Sequence, residues 1–286
     1  MKNRTIDKIV HAHKNQMGKS TIWQPLPKHE LQDLDPFVHL VHHGPDTYEK
    51  GEKPLTFDAH PHRGFEPVTF IFQGELFHRD SLGNNSVIKA GGVQWITAGS
   101  GIVHAEGATQ QFINHGGTVE MIQLWINLPA RLKMTSPNYQ GFQHKEIPQV
   151  KASDWKADLN IISGDWGGVK GPVNSISGIR TATIELTKLG ETTLQTRPTN
   201  AAGLYIVKGK ATVNETIVQT HDFIAFGHEG EKLSINAKEP TVALFMAGEP
   251  NEEPIVRQGP YVMNSKREIY DATQDYLAGK MGTMAQ

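Results

Sequence analysis

Apolar residues along the chain fall in short runs rich in β-branched and aromatic side chains, closed by glycine, proline, asparagine or aspartate. Runs over 67–72, 93–97, 118–128, 181–186, 203–207, 223–226 and 241–246 have the length and bounding turn residues of strands. So many short strands at regular spacing predict an all-β sandwich or barrel. Helical periodicity is convincing only near the end, where Ile269, Ala272, Tyr276 and Leu277 recur on one face between 266 and 280. A short C-terminal helix is expected there. The longest apolar runs, such as 121–126, are far too short to cross a bilayer as a helix.

The two halves echo each other. Phe70-Ile71-Phe72-Gln73-Gly74-Glu75 is answered by Tyr205-Ile206-Val207-Lys208-Gly209-Lys210, and Trp95-Ile96-Thr97-Ala98-Gly99 by Phe223-Ile224-Ala225-Phe226-Gly227. A duplicated β unit is the expectation. The polar stretch 146–157, with Pro148, is the expected boundary, dividing the chain into domains over 1–150 and 151–286.

Composition narrows the function. The net charge is −2, which gives no electrostatic footprint for nucleic acid or anionic membranes, so neither partner is expected. The first residues lack the apolar core of a secretion signal, and a cytoplasmic protein is expected. There are no cysteines, which removes disulfides, zinc–thiolate sites and cysteine nucleophiles together. No phosphate-binding or dinucleotide glycine motif stands between a strand and a helix, and Gly99-Ser100-Gly101 lacks the hydrolase G-x-S-x-G pattern.

Histidine is the exception, with 14 copies, several tightly spaced. Strand side chains alternate faces, so His60-Pro61-His62 aims both imidazoles to one side. His104-Ala105-Glu106 has the same spacing, and two antiparallel strands carrying these pairs would present three imidazoles and a carboxylate to one point. Such nitrogen and oxygen donors suit Fe(II), Mn(II), Ni(II), Cu(II) or Zn(II). Glu66, four residues beyond His62, has the right parity too, and spacing does not separate it from Glu106. In the echo the counterparts of His60 and His62 are Gln195 and Arg197, so only the first half keeps a metal site. Plainer roles are expected elsewhere. His42 and His43 read as solvated loop residues, and Glu66 as an ion-pair partner of Arg63 or a neighbour. Trp95, Trp125, Phe70 and Phe72 read as core, and Arg63 and Gly64 as shapers of the turn after His62.

The segment from His60 to Glu66, followed by a strand and Gly74, resembles the first cupin motif, and Gly101 with His104 the core of the second. Pro54, Gly99 and Ala108 depart from the general cupin pattern. Together HPHRGFEPVTFIFQGELFHRDS (60–81), GGVQWITAGSGIVHAE (91–106), QLWINLPARLKMTSPNYQ (123–140) and GPYVMNS (259–265) resemble the pirin family, and Leu34-Asp35-Pro36-Phe37 resembles its N-terminal segment. The resemblance implies a bicupin: two stacked β-barrels, with the C-terminal segment closing back on the N-terminal one. It implies one metal in the N-terminal barrel, iron first, held by His60, His62, His104 and Glu106, with Glu66 lining the site rather than ligating. It also implies quercetin 2,3-dioxygenase activity on a flavonol-type substrate with dioxygen, Glu106 serving as ligand and base. Two rival roles are a redox-responsive regulatory protein with a protein partner, and a structural zinc site. One departure is local: this family usually carries Asp-His-Phe where Val41-His42-His43 stands.

Overall fold

The structure is a computed structural model that describes residues 2–54, 56–151 and 156–284. The expected boundary stretch, 146–157, therefore lies partly outside the described residues. The chain gathers into two compact units. One contains Lys14–Trp23, Phe37–His144 and the chain from Asn251 onward; the other contains the chain up to His13, Gln24–Pro36 and Lys145–Pro250.

In the unit built around Phe37–His144, one sheet runs Asn138–Phe142, Val93–Thr97, Phe65–Gln73, Gly117–Asn127, Phe37–Tyr48, Ser20–Leu26, His13–Met17. A four-stranded sheet runs Phe57–His62, Ile102–Gly107, Glu75–Asp80, Asn85–Lys89. The unit built around Lys145–Pro250 has a sheet in the order Ile6–His11, Asp222–Phe226, Ala201–Lys208, Thr241–Gly248, Arg180–Leu186, Ala157–Ser163, Gln149–Lys151. Its four-stranded sheet runs Glu191–Gln195, Lys232–Ala237, Lys210–Val213, Thr216–Gln219. Apart from one edge strand in each large sheet, the two units follow the same order of strands. The echoed segments also take matching places. Phe65–Gln73 pairs with Val93–Thr97 in one unit, and Ala201–Lys208 with Asp222–Phe226 in the other. The protein is all-β, as its sequence pattern predicts.

The two interiors differ in chemistry. Between the sheets of the Lys145–Pro250 unit lies one continuous apolar cluster, including Leu194, Leu204, Leu233, Ile235 and Phe245. The interior of the other unit buries His42, His62, Glu66, His78, Gln94, His104, Glu106 and Glu120, beside apolar groups such as Tyr48, Ile71, Leu76 and Ile88. Buried polar groups cost free energy unless paired, so such an interior marks a site rather than a core.

The C-terminal helix spans Lys266–Leu277 and begins with a capping box between Ser265 and Glu268. It buries Ile269 and Ala272 against Val103, Tyr261 and Met263. Tyr276 is only partly buried against this cluster, and Leu277, expected on the packed face, is 72% exposed. The helix ends at that residue, so its last apolar position has no sheet beneath it. Arg63 Nη1 donates to Asp275 Oδ2 at 2.9 Å and pins the helix to the turn after His62. A second helix, Gln110–His115, has no counterpart in the sequence reading; Thr109 caps it by accepting from the Phe112 amide. Among the described residues no helix is long and apolar enough to cross a membrane.

Candidate metal centre

The strands Phe57–His62 and Ile102–Gly107 are antiparallel, with His104 directly opposite His60 and Ile102 opposite His62. This register lets imidazoles from two strands meet, and the two-residue spacing adds the third. The turn after His62 depends on Gly64, whose φ of +86° suits glycine, and a Cβ there would strike the Val262 carbonyl oxygen. The Tyr261–Met263 strand is thereby brought close, and the Pro260 carbonyl reaches His62.

The histidines converge tightly. His60 Nε2 lies 3.1 Å from His62 Nε2 and 2.9 Å from His104 Nε2. One ligand atom from each of the three lies within 4.8 Å of the others. For His60 and His62 the other ring nitrogen settles what these atoms present. His60 Nδ1 donates to the Asp58 carbonyl at 2.7 Å, and His62 Nδ1 to the Pro260 carbonyl at 3.2 Å. A carbonyl only accepts, so both Nδ1 atoms carry the proton, and in the neutral rings both Nε2 atoms carry lone pairs. Two lone pairs at 3.1 Å repel unless a cation lies between them. Protonation is a poor remedy at His62, where burial, with help from His60, lowers the pKa to about 3. Burial likewise holds His104 well below the ordinary histidine value. Nitrogens about 3 Å apart are also what adjacent ligands show at a metal–nitrogen distance of about 2.1 Å. A carbonyl on the far nitrogen is the usual way of fixing a metal-binding tautomer. The three residues fit a metal ion.

Glu106 is not part of this tight group. Its carboxylate is buried and accepts from Gln94 Nε2 at 2.7 Å and from Gln123 Nε2 at 2.9 Å. Trp125 Nε1 in turn donates to Gln123 Oε1 at 3.0 Å, which orients that amide. Burial raises the Glu106 pKa against the opposing pull of His60, His78 and the two amides. Burial strengthens this carboxylate as a base, and the two amide donors, while opposing that rise, fix its position.

Comparison with known proteins bears directly on this site. The sequence profile of the pirin family matches residues 13–126, and that of the pirin C-terminal cupin domain matches residues 181–282. Pirin-1 of Arabidopsis thaliana is 37% identical over 291 residues, covering 98% of this chain and 95% of that protein. The chain belongs to the pirin family. The crystal structure of a quercetin 2,3-dioxygenase from Acinetobacter baumannii superposes with a TM-score of 0.91 at 34% identity, covering 99% of both chains. The bacterial pirin YhhW from Escherichia coli, solved in complex with nickel(II), shares the fold at 19% identity, with a TM-score of 0.68 over 85% of this chain and 99% of that one. The pirin fold is thus a bicupin, and the histidine cluster lies within the segment matched by the family profile.

Several residues of this pirin stand where the sequence reading did not put them. Glu66 is fully buried and accepts from Thr97 Oγ1 at 2.7 Å, while Arg63 pairs with Asp275 instead. His42 is not a solvated loop residue. It lies in the Phe37–Tyr48 strand, fully buried, with Nε2 at 3.3 Å from Glu120 Oε1. His43 is partly buried in the same strand. Trp95 and Phe70 are core, as expected, but Trp125 is not wholly so. Its ring stands edge-on to His62 at 5.6 Å and packs on Phe65 at 4.3 Å, forming a wall of the site. Beyond His104, His78 stacks on Tyr139 at 4.2 Å and bonds Asp80 Oδ2 at 2.8 Å. Gln94 and Gln123, the clamp on Glu106, escaped the sequence reading. Their signal was present: each is an amide inside an otherwise apolar strand run, where a polar side chain needs a buried partner.

Proposed function

We propose that the chain is a metal-dependent dioxygenase that opens the ring of a flavonol of the quercetin type. The observation that carries the reading is the pair of imidazole lone pairs, His60 Nε2 and His62 Nε2, aimed at one point beside a buried carboxylate. In support, a relative alike over its whole length is titled a quercetin 2,3-dioxygenase.

On this reading His60, His62, His104 and Glu106 hold the ion, and Fe(II) is the ion they hold. When bound, it supplies Lewis acidity toward a substrate hydroxyl and one-electron chemistry toward dioxygen. The chain's own residues do the rest. Glu106, made more basic by burial, takes the proton from the flavonol hydroxyl. Gln94 and Gln123 keep its oxygens fixed while it does so. Trp125, partly exposed beside His62 and backed by the buried Phe65, offers an aromatic surface suited to a planar ring.

The test is direct. Metal-free protein is loaded anaerobically with Fe(II), Mn(II), Ni(II), Cu(II) or Zn(II) in turn. Oxygen uptake and quercetin absorbance are then followed. The expected result is oxygen uptake matched to quercetin loss, fastest with Fe(II). Absence of uptake with all five ions overturns the proposal.

A further inference from the structure

The unit built around Lys145–Pro250 contains a cavity of about 970 Å³. That is the upper end of the size range of small-molecule pockets. It lies where the duplication would place a second metal site. Gln195 and Arg197, the sequence counterparts of His60 and His62, both line it. Gln195 is opposite Lys232 in the antiparallel pair, as His60 is opposite His104. At the mouth of this barrel an amide and a guanidinium stand where the other unit has two imidazoles.

What lines the cavity is organised around Arg180. Its guanidinium lies over the Trp166 ring, 4.2 Å from the centroid, and its Nη1 donates to the Gln195 carbonyl at 2.9 Å. The Nε atom on the other edge is buried and has no hydrogen-bond partner. An unpaired donor on this half-buried guanidinium is costly, and its planar fork, which lines the cavity, matches the two oxygens of a carboxylate. Trp166 is itself fixed. Its Nε1 donates to the Ser163 carbonyl at 3.0 Å, and its ring stands edge-on to Phe245 at 5.4 Å. Its hairpin turns through Gly167 and Gly168, at φ +67° and +95°. Leu159 and Ile161 add apolar surface to the same lining.

The acids around the cavity shape its selectivity. Asp165 accepts the Gly168 amide within its own turn, and Glu249 faces Arg197 at 3.8 Å on the exposed rim. Glu231 also lines the cavity. Three carboxylates set against the two guanidiniums of Arg180 and Arg197 favour a singly charged guest over a phosphate-like polyanion.

We infer that this cavity is a second binding site, for a small monocarboxylate with an aromatic or apolar body, seated between Arg180 and Trp166. This inference is independent of the reading of the metal centre.

The test titrates metal-loaded, full-length protein with benzoate by calorimetry, with benzamide and inorganic phosphate as comparators. Saturable benzoate binding is expected, with benzamide at least tenfold weaker and phosphate failing to compete. Arg180→Gln should weaken benzoate at least tenfold, and Arg180→Lys should fall between. A wild-type crystal soaked with 4-bromobenzoate gives an independent readout, since bromine is located by its anomalous signal. Bromine beside Trp166 supports the site whatever the stability of the variants. Bromine found only at the histidine cluster, or nowhere, overturns it, as does equal benzoate affinity in a folded Arg180→Gln protein.

Discussion

His60 and His104, 44 residues apart in sequence, bring their Nε2 atoms to 2.9 Å because they are direct partners across an antiparallel ladder. Opposed residues in such a ladder have Cβ atoms about 5 Å apart, close enough for two inward imidazoles to share one ion. His62 joins by strand parity alone. β-Sheet register therefore brings the three imidazoles together, and the Pro260 carbonyl then fixes the His62 ring.

Removing one member should abolish binding rather than tune it. In His104→Ala, affinity for Fe(II) or Zn(II) should fall by more than the roughly 10–100-fold that loss of an outer hydrogen bond costs. Competition with a chromophoric chelator measures this. Added metal should also raise the melting temperature of the wild type and leave that of the variant unmoved. Stoichiometric binding at unchanged affinity in the variant would contradict a shared site.

Glu106→Gln should separate chemistry from folding. The amide keeps the shape of the side chain; its oxygen can still accept from Gln123, and Gln94 can turn its unpaired Oε1 to the new NH₂, but the group cannot act as a base. Turnover of quercetin should fall on the order of 10²–10⁴-fold, the usual worth of a positioned general base. The melting temperature of the metal-free protein should change by only a few degrees. Full-rate quercetin oxidation in this variant removes Glu106 from the role of base.

The histidine cluster was legible in the sequence because strand parity is a strict period of two, so two short motifs fix which side chains share a face. The duplication was legible as well, since glycine turns and apolar strands repeat at matching places. What could not be read was everything set by long-range contact. Parity allowed Glu66 and Glu106 equally. Their partners depend on tertiary pairing: Thr97 lies on the strand paired with that of Glu66, whereas Gln94 and Gln123 reach Glu106 from the other sheet of the unit. His42 looked like a loop residue because its polar neighbours hid the strand, and its burial beside Glu120 depends on the pairing of Phe37–Tyr48 with Gly117–Asn127. The cavity beside Arg180 left no motif, because the guanidinium at the start of the Arg180–Leu186 strand meets the indole of the Asp165–Trp166 hairpin only through tertiary contact.

Acid should destabilise the protein through histidines outside the metal cluster. His43 has its pKa lowered to about 4, first by burial and then by His42 and His39. His39 is likewise lowered to about 4, by burial and then by Arg257. Unfolded, each titrates near 6.5. The unfolded state therefore binds more protons between these values, and stability drops as pH falls from about 6.5 toward 4. Each group contributes a slope of at most about 1.4 kcal/mol per pH unit, less where water reaches the ring. Urea unfolding of metal-free protein at pH 7, 6 and 5 should show this loss, and His43→Phe should flatten it. Identical slopes in the two proteins would show that His43 does not carry the effect.

Gly64→Ala should damage the metal centre without touching a ligand. At φ +86° an alanine is strained, and its methyl group would strike the Val262 carbonyl oxygen. The local strain alone is worth about 1–3 kcal/mol. Relief requires Val262 to move away, and with it Pro260 two residues earlier, whose carbonyl is what holds His62 Nδ1–H. Freed of that bond, His62 no longer keeps its Nε2 lone pair fixed on His60. The variant should melt lower and also bind metal about 10–100-fold more weakly, the cost expected for an outer hydrogen bond. Calorimetric melting and chelator competition read the two effects separately. A lowered melting temperature with undiminished metal affinity would show that the turn stabilises the fold but does not aim His62.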